Sequence, residues 1–117
     1  MSVRTDRVRK QLKKELSMIL QEELKDPRIG FVTITRIDLT GDLRYAKIYF
    51  SVLGDESNQE TSLEGINSAA GYIRRLVGER LKLKYVPELS FRLDKSAEYT
   101  MELEKTFERL RDERKID

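Results

Sequence analysis

Arg74, Arg75, Arg80, Lys82 and Lys84 fall within eleven consecutive residues, against a single acid, Glu79. Cations set that closely suit one task above others. They can hold a polyanion by its phosphates, where several guanidinium and ammonium groups must converge because each contributes modestly. Arg7, Lys10 and Lys14 recur at steps of three and four near the N-terminus, the spacing of one helical face. A basic helical face is commonly no more than a solvated one. Its weight here depends on whether folding brings it beside the 74–84 cluster.

The other chemistries have little to stand on. With no His and no Cys, disulfides, thiolate and imidazole zinc sites, and Ser-His-Asp or Cys-His nucleophiles are all excluded. Asp38, Asp42, Asp55 and Glu56 would bind Mg²⁺ only if loops drew them together, and carboxylates beside turns are usually plain solvated residues. Neither a GxxxxGK[ST] nor a GxGxxG phosphate loop occurs. Lys and Tyr could serve as acid-base groups, but nothing marks one of them. The expectation is a non-enzymatic protein with no cofactor and no metal.

Those residues need a scaffold. A chain of 117 residues reads as one fold, long enough for a real core. Apolar and charged residues each make up 38%, which is polar for a globular domain, but the apolar ones are periodic. Net charge is only +2, yet residues 71–86 carry +4 and residues 1–25 carry +3, while residues 51–64 carry −4 and residues 94–117 carry −2. A polyanion would feel the two positive stretches rather than the average. No apolar run is long enough to span a membrane, and the N-terminus lacks the apolar region of a secretory signal.

Residues 4–24 read as a helix, with Val8, Leu12, Leu16, Ile19 and Leu20 as its apolar stripe, Ser2 or Thr5 as its cap, and Asp26-Pro27 ending it. Residues 31–39 and 43–52 read as antiparallel strands about a Thr40-Gly41-Asp42 turn. In the second, Ala46, Ile48, Phe50 and Val52 face the helices, and Tyr45, Lys47, Tyr49 and Ser51 the other side. Those tyrosines could stack on bases, although half-buried sheet tyrosines are the commoner case. Ser57 and Glu60 have the form of a capping box. Residues 60–87 then form the organising stretch. Either two helices meet at Ala69-Ala70-Gly71, or one long helix tolerates Gly71. Residues 88–94 read as a third strand with Leu89, Phe91 and Leu93 on one face, and Ser96 can cap a last helix carrying Tyr99, Leu103, Phe107 and Leu110. The order predicts an α+β layer, helices on one face of a three-stranded sheet. Residues 1–95 form the domain, and residues 96–117 a charged terminal helix. Because a branched side chain resists a tight bend, Gly71→Val should damage stability or helix geometry more than Gly78→Ala.

This order resembles a type II KH domain, α-β-β-α-α-β, in which two helices flank a GxxG loop that clamps a nucleic-acid backbone. No GxxG occurs here; Ala69-Ala70-Gly71 stands at the junction. An AxG kink followed by GYIRRLVGERLKLKYVPELSF closely resembles the bacterial ribosome-binding factor A family. RTDRVRKQLKKELSMILQEELKDPRI and RYAKIYFSVLGD are similar to it as well, so the likeness runs over residues 4–110. The resemblance implies a cytoplasmic, monomeric, non-catalytic assembly factor. It would bind the free small (30S) ribosomal subunit and assist late maturation and 5′-end processing of its 16S rRNA, with a link to growth in the cold. It also implies an RNA surface of Arg4, Arg7, Lys10 and Lys14 on the first helix with Arg74, Arg75, Arg80, Lys82 and Lys84 around the kink. Without GxxG, a folded rRNA surface read by shape and charge is the expected target. Two other classes stay open. One is a protein-interaction module using the acidic loop (Asp55, Glu56, Glu60) and the terminal helix. The other is a metal-dependent phosphoryl-transfer or nuclease domain.

Overall fold

The computed structural model describes residues 3–95. Of the two expected caps, Ser2 lies outside them and Thr5 is no cap, being buried within the first helix. The terminal helix expected over residues 96–117 also lies outside them. Helix α1 (Val3–Met18) runs into a single wide π-turn at Ile19–Glu23, closed by the Leu24 N–H on the Ile19 carbonyl at 3.2 Å. Strands β1 (Val32–Leu39) and β2 (Tyr45–Val52) follow, then helices α2 (Glu56–Ser68) and α3 (Ala70–Leu81) and strand β3 (Glu88–Leu93). The sheet order is β1-β2-β3, with β1 antiparallel and β3 parallel to β2. This is the α-β-β-α-α-β order with helices on one sheet face.

The core forms where the two periodicities meet. Leu12, Leu16 and Ile19 of the first helix pack with Ile66, Ile73 and Val77 of the helix pair. Ala46, Ile48 and Phe50 meet them from β2, all at 1% exposure or less. Alternation does not hold the whole length of β1. Val32 and Ile34 point inward, and then Ile37 does. Pairing runs Ile34↔Phe50 and then Arg36↔Tyr49, so Thr35 is the extra residue of a β-bulge. Its hydroxyl donates to the Asp94 carboxylate at 2.6 Å, fixing the bulge to the end of β3.

The N-terminal device of α2 differs from the expected capping box. Asp55 is the cap, its carboxylate accepting from the Asn58 N–H at 3.0 Å. Aspartate does the same service as serine there, because either oxygen can take an unpaired first-turn N–H. The helical stretch is broken, and the break falls at Ala69 (φ −94°, ψ 4°). Gly71 is not what breaks it. Gly71 lies in the first turn of α3, and a Cβ built on it would meet nothing within 4 Å. The glycines that packing requires are elsewhere. A Cβ on Gly65 would sit 2.6 Å from Ile29 Cγ1, and one on Gly78 would sit 2.8 Å from Val86 Cγ2.

Candidate nucleic-acid interface

Three of the expected cations come from distant parts of the chain into one place. Arg4 from the start of α1, Arg74 from α3 and Lys84 from the loop after α3 line a single open pocket of about 650 Å³. Local chemistry explains how each segment arrives. Helix α3 ends at Lys82, whose left-handed backbone (φ 50°, ψ 40°) turns the chain back. The returning loop is then held by Arg74, which donates from Nη2 to the Val86 carbonyl at 3.0 Å and from Nε to the Pro87 carbonyl at 3.4 Å. A guanidinium has five N–H donors, so three remain for a ligand.

The opposite wall is the β1–β2 turn. Leu43 takes the left-handed conformation there (φ 62°), a cost of roughly 1–2 kcal/mol for a residue with a Cβ. The turn is fixed by polar contacts. The Thr40 hydroxyl donates to Asp42 at 2.7 Å, the Arg44 N–H donates to Asp42 at 3.1 Å, and the Tyr45 N–H donates to the Thr40 hydroxyl oxygen at 3.1 Å. The hydroxyl first, then the amide, hold the Asp42 carboxyl below the usual carboxylate range. The Glu88 N–H donates to the Arg44 carbonyl at 2.8 Å, fastening β3 to this turn. Arg44, Tyr45 and Tyr85 therefore join the pocket. Arg44 and Tyr85 had not been singled out in the sequence. The signal available was adjacency: each sits beside a residue already marked, Tyr45 and Lys84.

The remaining cations divide by what they already hold. Arg80 is committed: Nη2 donates to Glu23 at 2.8 Å and Nη1 to Glu15 at 3.4 Å, clamping the end of α3 onto the first helix. Partial desolvation works against its charge, but the hydrogen bonds to Glu23 and Glu15 outweigh that and raise its pKa. Lys10 pairs with Asp6 at 3.5 Å in the open, and Arg9 shares that carboxylate. Arg7, Lys14 and Lys82 are exposed with no ion pair among the described residues. Arg75 is exposed, its guanidinium carbon 5.2 Å from the Tyr72 ring centroid. Helices α1 and α3 pack on each other, and Arg4, at the head of the N-terminal basic face, meets Arg74 and Lys84 of the 74–84 cluster at the pocket.

The four acids considered for Mg²⁺ are dispersed. Asp38 pairs with Arg36 at 3.4 Å, Asp42 belongs to its turn, and Asp55 and Glu56 stand at the start of α2. Among the described residues no three acids are placed to share a metal ion. Nor is any helix among them long and apolar enough to cross a membrane.

A protein-family model described as "Ribosome-binding factor A" matches residues 4–107. Curated proteins of that name are similar to this chain. The one from Halothermothrix orenii is 43% identical over 97% of this chain and 93% of its own length. That from Natranaerobius thermophilus is 48% identical over 83% of this chain and 74% of its own. Among solved structures, a putative ribosome binding factor A from Thermotoga maritima superposes with a TM-score of 0.68 at 33% identity, covering 79% of this chain and 88% of that one. A homology model of the Thermus thermophilus ribosome binding factor A, as fitted into a cryo-EM map of a 30S complex with that factor, shares the fold at a TM-score of 0.65. It is 24% identical and covers 76% of this chain and 93% of that one.

Proposed function

The chain belongs to the ribosome-binding factor A family, and from that membership we propose that it binds the free small ribosomal subunit through 16S rRNA and assists late maturation, including 5′-end processing, without catalysing a reaction. The observation that carries this reading is the convergence of Arg4, Arg74 and Lys84 on one pocket, on the side where α1 and α3 lie together. Free guanidinium and ammonium groups on adjacent elements can neutralise several phosphates at once, and a shared surface of this kind reads backbone geometry rather than sequence. The relative fitted into a 30S complex supports the choice of subunit. In this reading Arg4, Arg7, Lys14, Arg75, Lys82 and Lys84 carry phosphate contacts, Lys10 adds charge at the edge, and Arg74 both shapes the loop and contacts RNA. Arg80 stands apart as a brace.

Arg75 is the position to test, because reversing Arg74 would also release the 86–87 loop. Arg75→Glu combined with Arg7→Glu should weaken binding to purified small subunits at least tenfold and leave the melting temperature within a degree or two of the parent. Co-sedimentation at physiological salt measures the first, circular dichroism the second. Unaltered sedimentation with subunits would remove the basic side from consideration.

A further inference from the structure

The geometry points to the pocket between the β1–β2 turn and the 82–87 loop as a receptor for one unstacked nucleotide of single-stranded RNA, its base on a tyrosine ring and its phosphates on the surrounding cations. This rests on the RNA-binding reading and narrows it. The family match gives a partner, but it does not say that any base leaves its stack.

Four cations reach the pocket from four separate segments: Arg4, Arg44, Arg74 and Lys84. Of the two acids on its rim, Asp42 is already occupied by the Thr40 hydroxyl and the Arg44 amide. Glu88 is exposed and left as an acceptor suited to a base amino group. A pure phosphate site needs no aromatic walls, yet two are present. Tyr45 is 56% exposed and Tyr85 76%, far more than a ring serving only to fill a core. The Lys84 ammonium stands over one face of the Tyr85 ring, 5.6 Å from its centroid, which leaves the other face for a base with a charge for its phosphate close by. A volume of about 650 Å³ falls within the range that encloses a small molecule. It admits a nucleotide turned out of a strand, whereas the bases of a duplex cannot enter it. Stacking of a base on an aromatic ring is sequence-tolerant and typically decides one to two orders of magnitude in affinity. The pocket is held open by the protein's own bonds: Arg74 on the loop carbonyls on one side, and the Asp42 turn with the Arg44–Glu88 backbone link on the other.

The test uses the full-length protein and purified small subunits carrying 4-thiouridine in their rRNA. Irradiation should cross-link the RNA to Tyr85 or Tyr45, identified by mass spectrometry of the digested adduct. Tyr85→Ala should reduce subunit affinity about tenfold, and Tyr85→Phe, which keeps the ring, should stay within about twofold of the parent. Arg7→Glu serves as the reference for the basic side. Cross-links confined to α1, with Tyr85→Ala binding like the parent while Arg7→Glu binds poorly, would overturn the nucleotide pocket and leave the RNA reading in place. Equal loss from Tyr85→Ala and Tyr85→Phe would overturn stacking in favour of the phenol hydroxyl. Absence of any RNA cross-link, with all variants binding alike, would overturn both.

Discussion

Arg75 and Arg80 lie five residues apart in one helix and do opposite things. The side chain of Arg80 is 26% exposed and shares two carboxylates, Glu15 and Glu23, contributed by the first helix and its π-turn. Arg75 has no carboxylate partner among the described residues and lies exposed over Tyr72. Removing Arg80 leaves Glu15 and Glu23 near each other with no counter-charge. Arg80→Ala should therefore lower Tm by a few degrees while subunit binding, measured below the new Tm, stays close to the parent. A drop in affinity with Tm unchanged would mean that the pairs with Glu15 and Glu23 open in the complex. The two arginines look alike in sequence. Their partners lie 57 and 65 positions away from Arg80, so no local pattern separates a brace from a free cation. Arg44 and Tyr85 show in the sequence only as neighbours of Tyr45 and Lys84, because the turn and the loop that carry them meet only after β3 pairs beside β2.

At the level of elements, period carried most of the information. The α1 stripe, the alternation of β2 and the third strand are visible as repeats of apolar residues. Leu12, Leu16, Ile19 and Leu20, the inward residues of β2, and Phe91 lie in the core, while Leu89 and Leu93 are half-buried at its edge. Irregularities were harder to read. The β-bulge at Thr35 shows in the sequence only as a slip from Ile34 to Ile37, and its anchor is Asp94, far along the chain. The helix break was visible as a weak point, but the glycine beside it is a poor guide to its cause, since Ala69 takes the non-helical conformation and Gly71 is bare. The expected order of damage follows from what each Cβ would meet. Gly71→Ala adds a methyl to open space within a helix and should stabilise by about 0.5–1 kcal/mol. Gly78→Ala drives a methyl against Val86, on the loop that walls the pocket, and should cost about 1–3 kcal/mol. Chemical denaturation of the two variants beside the parent decides it. If Gly78→Ala were the milder change, the α3 to 82–87 packing would be looser than described.

On the scale of the whole molecule, β2 acts as a ruler between two ends of opposite character. Tyr45 opens the strand at the basic pocket, and Val52 closes it just before Asp55, Glu56 and Glu60. Eight residues of extended chain separate the ends by roughly 23 Å, more than twice the screening length at physiological salt. An RNA seated at the pocket would hardly sense the acids, whereas a basic protein partner would seek them. That separation makes the RNA-binding and protein-module readings distinguishable by charge alone. Glu56→Lys with Glu60→Lys spares the Asp55 cap and reverses the acidic end. If RNA contacts dominate, this double variant should bind small subunits as tightly as the parent or slightly more so. It should also keep the parent's steep loss of affinity with salt, where each phosphate contact contributes just under one unit to the slope of log affinity against log salt. Arg7→Glu with Arg75→Glu should flatten that slope. A titration series from low to physiological salt on all three proteins reads both effects together. If the acidic-end variant were the one that lost affinity, and the basic-side variant kept its slope, the acids would be the docking surface and the partner on the subunit would be protein.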